Sequence, residues 1–343
     1  MSNYRSNPRT NSDFNSFLSH GSAINAPLPS AWTTLDSALI KQELLKVAEQ
    51  VAEQATVQST LPLSALKTIT LHLYKKVTST NEILWQHLQT GCPEGTVVMA
   101  QQQSAGRGQR GRQWQSERGG LYLSLALTPN LPAQKAAHLI LCVVWGVAIA
   151  LRTCHIPVGI KWPNDLVVQL PGAEQLYKLG GILTETRIQG HLISQAVVGI
   201  GINGANTVPE PGISLLTALS QAQQERSHNE MTLNQLGAIA IYGIVLGWHT
   251  LQHHGIDVIL AGYNTLLVHR NHVIKLRSNE QSRQGQIIGV RESGALQVSP
   301  VADSVKPNSA VSSSTPSNPP LEFLPGTLQL GYGLTPNIDS VEA

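Results

Sequence analysis

A loop rich in glycine and arginine constrains this chain more than any other stretch. It occupies residues 104–114, SAGRGQRGRQW, and three glycines and three arginines fall within seven consecutive positions beginning at Gly106. Glycine allows backbone conformations that other residues avoid and lets the main chain come close to a ligand. Arginine carries a permanent charge on a planar fork that suits phosphate and carboxylate groups. The stretch therefore predicts a flexible cationic loop that wraps an anion.

The sequence around this loop narrows what it can be. Its GxGxxG string matches a dinucleotide-binding fingerprint, but that fingerprint needs a helix directly after it, and here a polar turn leads to an alternating strand, Leu121–Leu127. A Walker A loop needs Lys and then Ser or Thr where this chain has Arg112 and Gln113. The HRD and DFG companions of a kinase glycine loop are missing from the sequence. The flanking strands favour an anion-binding loop in an ordered domain over a mobile surface turn or an RGG-like nucleic-acid segment.

Hydrophobic periodicity predicts an α+β fold in which a mixed or antiparallel sheet packs against helices on one side. Strands are predicted at residues 69–74, 96–99, 121–127, 158–162, 166–170, 181–186 and 195–202. Helices are predicted at residues 35–54, 133–152 and 231–253. A further helix is predicted to begin at Ser79, because Ser79 and Glu82 have the spacing of a capping box.

The chain divides into three predicted regions. Residues 1–65 are expected to form a disordered tail, poor in large apolar side chains, plus one helix. Residues 66–266 form the main domain, and residues 267–343 form a small β-barrel. Strands of the barrel are predicted at residues 272–276, 283–290, 295–299 and 327–331, and a Ser-, Pro- and Asn-rich disordered insertion is predicted at about 301–320.

Composition limits the class of protein. Hydrophobic residues make up 41% of the chain, enough for an ordinary core, and the net charge of +2 argues against a general nucleic-acid coat protein. Three cysteines without metal or redox spacing indicate reduced thiols. The N-terminus lacks an apolar signal segment, and the longest apolar run, at 139–151, is shorter than the roughly 20 residues of a membrane span. We therefore expect a cytoplasmic protein that does not engage a membrane.

The KWPND stretch at residues 161–165 is the second candidate site. Pro163 prevents the residue before it from turning helical, and Asn164 and Asp165 favour a turn. The Lys161 ammonium would then lie at a strand end, beside an amide and a carboxylate that orient it or contact Mg²⁺. Taken alone, a strand terminator with a surface lysine is the better interpretation.

Two glycine-rich strands and one helix start are weaker signals. Lys178 precedes paired glycines in KLGGIL, and Gly199 and Gly201 share one face of a strand in GIGIN. A glycine inside a strand marks close approach of a ligand or of another backbone, and tight packing on a helix explains both sites equally well. Ser79, Thr80 and Asn81 begin a helix, where N-capping and anion binding are compatible.

Taken together and in this order, the motifs resemble the biotin–protein ligase family. STN at 79–81, QQSAGRGQRGRQW at 102–114, KWPNDL at 161–166, KLGGIL at 178–183 and GIGIN at 199–203 carry the resemblance, which loosens toward the C-terminus. It implies a catalytic domain like those of class II synthetases, followed by an SH3-like barrel. It also implies that biotin and Mg-ATP react to give biotinyl-5′-AMP, and that the biotinyl group passes to a lysine of the apo biotin carboxyl carrier protein of acetyl-CoA carboxylase.

The resemblance also assigns roles to residues of this chain. Biotin would be held by Ser79, Thr80, Asn81, Gln103, Gly106, Arg107, Lys161, Gly199 and Gly201. The nucleotide would be held by Arg110, Arg112, Trp114, Asn164, Lys178 and Asn203. Lys161, Arg107 and Arg110 would be catalytic, since cations offset the charge that builds up when a carboxylate attacks a phosphate. No direct metal ligand is implied, although Asp165 would contact Mg²⁺, and the loop would close over the adenylate to exclude water.

The sequence departs from the family at two places. Gln109 stands where family members commonly have an arginine that helps retain the adenylate, so retention is expected to be looser here. Bifunctional members carry an N-terminal winged helix-turn-helix, and the single helix expected within residues 1–65 predicts no DNA binding. The competing hypotheses are a lipoate or octanoate ligase of the same fold and a biotin-responsive nucleic-acid-binding regulator. A monomer and a homodimer are equally compatible with the sequence.

Overall fold

A computed structural model describes residues 28–54, 61–222, 231–278, 281–301 and 319–333 of the protein. Most of the predicted disordered tail and nearly all of the predicted insertion at 301–320 lie outside these residues. The helices are α1 (Ser37–Glu53), α2 (Leu63–Lys67), α3 (Thr80–Gln89), α4 (Ala136–Thr153), α5 (Leu215–Gln221), α6 (Leu233–His254) and α7 (Ile256–Leu266). The strands are β1 (Thr70–Tyr74), β2 (Thr96–Ala100), β3 (Leu121–Leu127), β4 (Leu131–Pro132), β5 (Gly159–Lys161), β6 (Asp165–Gln169), β7 (Leu176–Gln189), β8 (Leu192–Ile202), β9 (Val273–Ser278), β10 (Gln281–Val290), β11 (Leu296–Val301) and β12 (Leu321–Phe323).

Eight strands form the large sheet that supports the site. Their order is β1-β2-β3-β8-β7-β6-β5, and the short β4 pairs with β8. The β1–β2 pair is parallel and the other pairs are antiparallel, which confirms the predicted α+β fold with a mixed sheet. The centre of this sheet is the long β7–β8 hairpin, which carries the KLGGIL and GIGIN motifs on adjacent strands. Because these strands pair directly, motifs some twenty residues apart in sequence lie side by side.

Helices cover both faces of the large sheet, so the prediction of helices on one side was wrong. Met99 of β2 faces the layer of α4 and α6, and its methyl group lies against Gly237. Its neighbour Val98 faces the opposite side, where it packs with Leu84 and Leu88 of α3. Every residue of β2 and β3 is buried, and a strand buried on both faces needs cover on each of them.

The longest helices meet at glycines. A side chain at Gly146 of α4 would collide with the α6 backbone at Gly243 and Gly247, so these residues let the two helices approach closely. The segment Ala133–Thr153 is long and apolar enough to cross a membrane by length and composition, but 72% of its most apolar window is buried inside the protein. It is a core helix, as the sequence predicted for this run.

The C-terminal region contains a second, four-stranded antiparallel sheet in the order β12-β11-β10-β9, consistent with the predicted SH3-like barrel. The strand predicted at 327–331 was wrong, because these residues form no ladder. Their alternation reflects the burial of Leu328 and Leu330, while the chain itself leaves the small sheet and crosses to the large one. There the Leu176 N–H donates to the Tyr332 carbonyl at 2.6 Å.

Candidate active site

The glycine–arginine loop folds back on itself as a small hairpin. The Gly108 N–H donates to the Arg112 carbonyl at 2.7 Å, and the Trp114 N–H donates to the Gly106 carbonyl at 2.9 Å. The turn between them passes through Gly111, whose φ of 72° lies in the left-handed region that favours glycine. A Cβ at Gly106 would collide with the Trp114 carbonyl and the Ser116 hydroxyl. Gly106 therefore allows the two arms of the loop to meet.

Glu185 of β7 anchors one arm of this loop, although sequence reasoning did not single it out. Its Oε1 lies 3.0 Å from Nη1 of Arg107. Its Oε2 accepts hydrogen bonds from Asn81 Nδ2 at 2.9 Å and Trp85 Nε1 at 3.1 Å. One carboxylate thus connects the loop, the first turns of α3 and the central hairpin. A lone acidic residue in a strand facing a cation-rich loop was the only sequence signal for this role.

The start of α3 is buried and is capped differently from the prediction. Ser79 has the extended backbone of an N-cap, but its side chain makes no capping hydrogen bond. Glu82 instead accepts from the Thr78 hydroxyl at 2.7 Å, so the predicted Ser79–Glu82 capping box was wrong. The Thr80 N–H donates at 2.8 Å to Oε1 of Gln103. A residue distant in sequence therefore satisfies the first backbone donor of α3, and the Ser79 side chain caps none of the others.

Asn81 lies in the same corner of the site as Thr80 and Gln103. Its Oδ1 accepts from the Ser124 hydroxyl of β3 at 2.6 Å, and it lies where a side chain on Gly199 would have to be. Tight packing on a helix therefore accounts for Gly199. At Gly201 the neighbour is not a helix but the Trp114 indole, whose buried Nε1 has no hydrogen-bond partner in the described part of the protein.

Two lysines share one carboxylate at the other end of the site. Lys161 ends β5 and Asp165 begins β6, so the tight PND turn brings Nζ of Lys161 to 3.7 Å from Asp165 Oδ2. Lys178 of β7 approaches Oδ1 at 2.7 Å. Lys161 is only 7% exposed, and burial lowers the pKa of its ammonium, an effect that Asp165 opposes and the Lys178 charge reinforces. A buried ammonium that is only partly neutralised is prepared to bind an added anion.

The two predicted nucleotide-binding amides also support β7. Asn164 Nδ2 donates to the Ile182 carbonyl at 2.8 Å, and Asn203 Nδ2 donates to the Lys178 carbonyl at 3.2 Å. Both amides therefore stabilise the strand that carries Lys178 and Glu185.

A cavity of about 370 Å³ connects these groups, a size within the usual range for small-molecule sites. Fifteen of the sixteen predicted residues line it: Ser79, Thr80, Asn81, Gln103, Arg107, Arg110, Arg112, Trp114, Lys161, Asn164, Asp165, Lys178, Gly199, Gly201 and Asn203. Gly106 does not, since its role is in the loop backbone. The cavity is also lined by Gly326, Leu328, Gln329, Leu330 and Tyr332 from the C-terminal region, which sequence reasoning did not include. Nothing in their local pattern indicated a site.

Comparison with known proteins places this geometry in a family. The biotin/lipoate A/B protein ligase family matches residues 73–203. The bifunctional ligase/repressor BirA of Bacillus subtilis is 35% identical over 155 residues, which cover 44% of this chain and 46% of that protein. The biotin–[acetyl-CoA-carboxylase] ligase of Paracoccus denitrificans is 36% identical over 128 residues, which cover 36% of this chain and 50% of that protein. The biotin protein ligase from Aquifex aeolicus, solved in complex with biotin and ATP, aligns with a TM-score of 0.51 and 25% identity, covering 67% of this chain and 91% of that one.

Residues 73–203 form a domain of the biotin/lipoate A/B protein ligase family. The chain spans about half the length of these curated relatives. The family match ends at Asn203, at the end of the central hairpin, so the C-terminal residues that line the cavity lie beyond it. Part of the cavity wall therefore comes from a region of the chain that the family match does not cover.

Proposed function

We propose that the protein is an ATP-dependent ligase that activates biotin as biotinyl-5′-AMP and transfers the biotinyl group to a carrier lysine. The observation that carries the proposal is that these predicted groups share one cavity. One end of it presents the buried corner of Thr80, Asn81 and Gln103, and the other presents Lys161 and Lys178, with the arginine loop spanning the two. A carboxylic acid bound at one end and a polyphosphate bound at the other would meet in the middle of the cavity.

In the first step a carboxylate oxygen of biotin attacks the α-phosphorus of ATP, and pyrophosphate leaves. Two anions must approach each other, so positive charge near the forming bond lowers the barrier. Lys161 would lie between the carboxylate and the α-phosphate, with Arg110 and Arg112 on the phosphate side. In the second step the carrier amine attacks the acyl carbon, AMP leaves with the bonding electron pair, and the amine loses a proton.

Asp165 suits a magnesium ion that arrives with ATP. Mg²⁺ keeps several waters and binds through one or two carboxylates plus substrate phosphates, and Asp165 is the carboxylate beside the two lysines. When bound, the ion would neutralise phosphate charge. Asp165 would hold the ion, and Lys178, which is paired with Asp165 here, would bind a phosphate oxygen.

The relatives support this proposal by name. The Paracoccus relative is called a biotin–[acetyl-CoA-carboxylase] ligase, and the Aquifex structure holds biotin and ATP. We therefore propose the apo biotin carboxyl carrier protein of acetyl-CoA carboxylase as acceptor and the cytoplasm as the location, where the free thiols of Cys92, Cys142 and Cys154 would stay reduced. We propose no DNA partner.

A transfer assay tests the function. The full chain is incubated with Mg-ATP, the apo carrier and either labelled biotin or labelled lipoate. Label from biotin should appear on the carrier, and no label should appear when ATP is omitted or when the carrier lysine is replaced by arginine. Incorporation from lipoate alone would identify the other branch of the matched family. Tight, salt-resistant binding to biotin-operon DNA would contradict the expectation of no DNA partner.

A further inference from the structure

The C-terminal residues 325–333 form one wall of the cavity. After β12 the chain leaves the small sheet, and the Tyr332 carbonyl accepts from the Leu176 N–H of β7 at 2.6 Å. Gly333 makes an isolated bridge with Gln175 on the same side. Leu328 and Leu330 are 5% and 3% exposed, so the segment is packed rather than loosely attached. We call residues 325–333 the C-terminal wall.

The C-terminal wall contacts the arginines assigned to the phosphate side. The Arg110 guanidinium lies against Gly326, where any Cβ would collide with it. Arg112 Nη2 donates to Gln329 Oε1 at 3.4 Å. The wall therefore meets the loop opposite the anchor that Glu185 provides, and it does so on the nucleotide half of the cavity.

Tyr332 makes the most specific of these contacts. Its hydroxyl donates to Asp165 Oδ2 at 2.7 Å, the same oxygen that faces Lys161. Its ring centroid lies 4.5 Å from Nζ of Lys161, within the range of a cation–π interaction. One side chain thus holds both partners of the Lys161–Asp165 pair, while Lys178 holds the other oxygen of Asp165.

We propose that Tyr332 is a positioning residue for the nucleotide half-site, acting through Asp165 and Lys161. This inference rests on the proposed function. A hydrogen bond from a neutral phenol fixes the carboxylate without adding charge, so Asp165 keeps its capacity for a cation. The ring holds the Lys161 ammonium by the cation–π contact. Burial raises the pKa of the Tyr332 phenol, and Asp165 adds to the effect, so the hydroxyl remains a donor at working pH.

Tyr332→Phe separates the hydroxyl from the ring and changes little volume. Biotin-dependent exchange of labelled pyrophosphate into ATP is measured with the full chain, varying ATP at saturating biotin and then biotin at saturating ATP. We expect the KM for ATP to rise about 10-fold, the size expected for loss of one hydrogen bond to a charged group. The KM for biotin should change less than about twofold, because the lost hydroxyl bonds Asp165, which is not assigned to biotin, and Tyr332→Phe keeps the ring against Lys161. Tyr74→Phe is the control, since the Tyr74 hydroxyl is also hydrogen-bonded, to His87, far from the cavity.

The outcomes separate the two proposals. Absence of biotin-dependent exchange in the unsubstituted protein would refute the proposed function, whatever Tyr332 does. Exchange in that protein with an unchanged or lower KM for ATP in Tyr332→Phe would refute the positioning role, and a lower value would indicate that the wall obstructs ATP. Parallel changes in both KM values would also refute it, because a general loss of structure affects both substrates.

Discussion

At Asp165 one carboxylate lies among two ammonium groups and a phenol. Without it, Lys161 and Lys178 would repel each other in a largely dry environment, where such interactions are strong. The carboxylate offsets this repulsion and lies within ion-pair distance of both ammonium groups. Under the proposed function, phosphate oxygens would become partners of these lysines.

Replacing Lys161 by alanine should preserve the fold and abolish adenylate formation. Asp165 would keep Lys178 and Tyr332 as partners, so no carboxylate is left buried alone. Loss of the cation that neutralises the forming charge should reduce the rate of pyrophosphate exchange by at least about 100-fold. Lys41→Ala, on the exposed side of α1, should leave the rate unchanged. Near-normal pyrophosphate release from Lys161→Ala would show that the residue is misassigned.

Gln109 breaks the cationic pattern of the loop and lines the cavity. Gln109→Arg adds a charge where the adenylate phosphate is expected, worth about 1 kcal/mol at a partly exposed site, or about fivefold in affinity. We expect the isolated protein–adenylate complex to release biotinyl-5′-AMP about fivefold more slowly. Gln102→Arg, which adds the same charge outside the cavity lining, should have no effect. Equal release from the Gln109 variant and the unsubstituted protein would place Gln109 away from the phosphate.

At the scale of elements, a short glycine-rich hairpin is attached to a long, continuously paired one. The arginine loop has glycines in its backbone and exposed side chains, whereas β7 and β8 pair along their length. Glu185 connects the two through Arg107. Glu185 therefore holds one arm of the loop, while the C-terminal wall contacts Arg110 and Arg112.

Glu185→Gln should loosen the loop. The amide cannot form the ion pair with Arg107 and cannot accept the two other hydrogen bonds as strongly. We expect trypsin to cleave within residues 107–112 about fivefold faster than in the unsubstituted protein, since a partly exposed ion pair contributes up to about 1 kcal/mol. Biotin with ATP should restore protection. Glu43→Gln, which removes the ion pair with Lys46 on α1, should not change cleavage in the loop, and equal cleavage of the two variants would argue against the anchor.

At the scale of the whole molecule, His269 lies where the large sheet, the small sheet and the C-terminal wall meet. It is 3% exposed, and its Nδ1 has no hydrogen-bond partner among the described residues. Burial lowers its pKa to about 4, helped by the charges of Lys161 and His272 and opposed by a hydrogen bond with Gly333. The folded protein therefore holds this imidazole neutral where the unfolded chain would protonate it.

This histidine should make the protein sensitive to acid. Because its folded pKa lies below the unfolded value of 6.5, its contribution is complete above pH 6.5 and is lost as the pH falls toward 4. Between pH 6.5 and 5 the loss should be about 2 kcal/mol of unfolding free energy. Urea unfolding at both pH values should show this slope in the unsubstituted protein and in the control His191→Gln, and a smaller slope in His269→Gln. An unchanged slope in His269→Gln would assign the acid sensitivity to other groups.

The sequence by itself determined which residues are candidates for the chemistry. Glycine spacing, clustered arginines and a lysine at a predicted strand end are local features, and the strands on either side of the loop follow from alternation within a few residues. These features were enough to predict the mixed sheet, and with the family resemblance they named fifteen residues that line one cavity. A local pattern could predict them because the backbone preference and the chemistry of a side chain depend little on the rest of the chain.

Only the tertiary structure decided which partners hold those residues in place. Arg107 meets Glu185, the first turn of α3 is capped by Gln103, and Asp165 is bonded by Tyr332 from the far end of the chain. Each contact joins residues that are distant in sequence, and no local pattern reports a distant neighbour. The predicted strand at 327–331 failed for the same reason, because alternation shows which side chains are buried and does not show what buries them. The same limit applied to the arginine loop, whose sequence predicted an anion-binding role but not the anchor and the wall on its two sides.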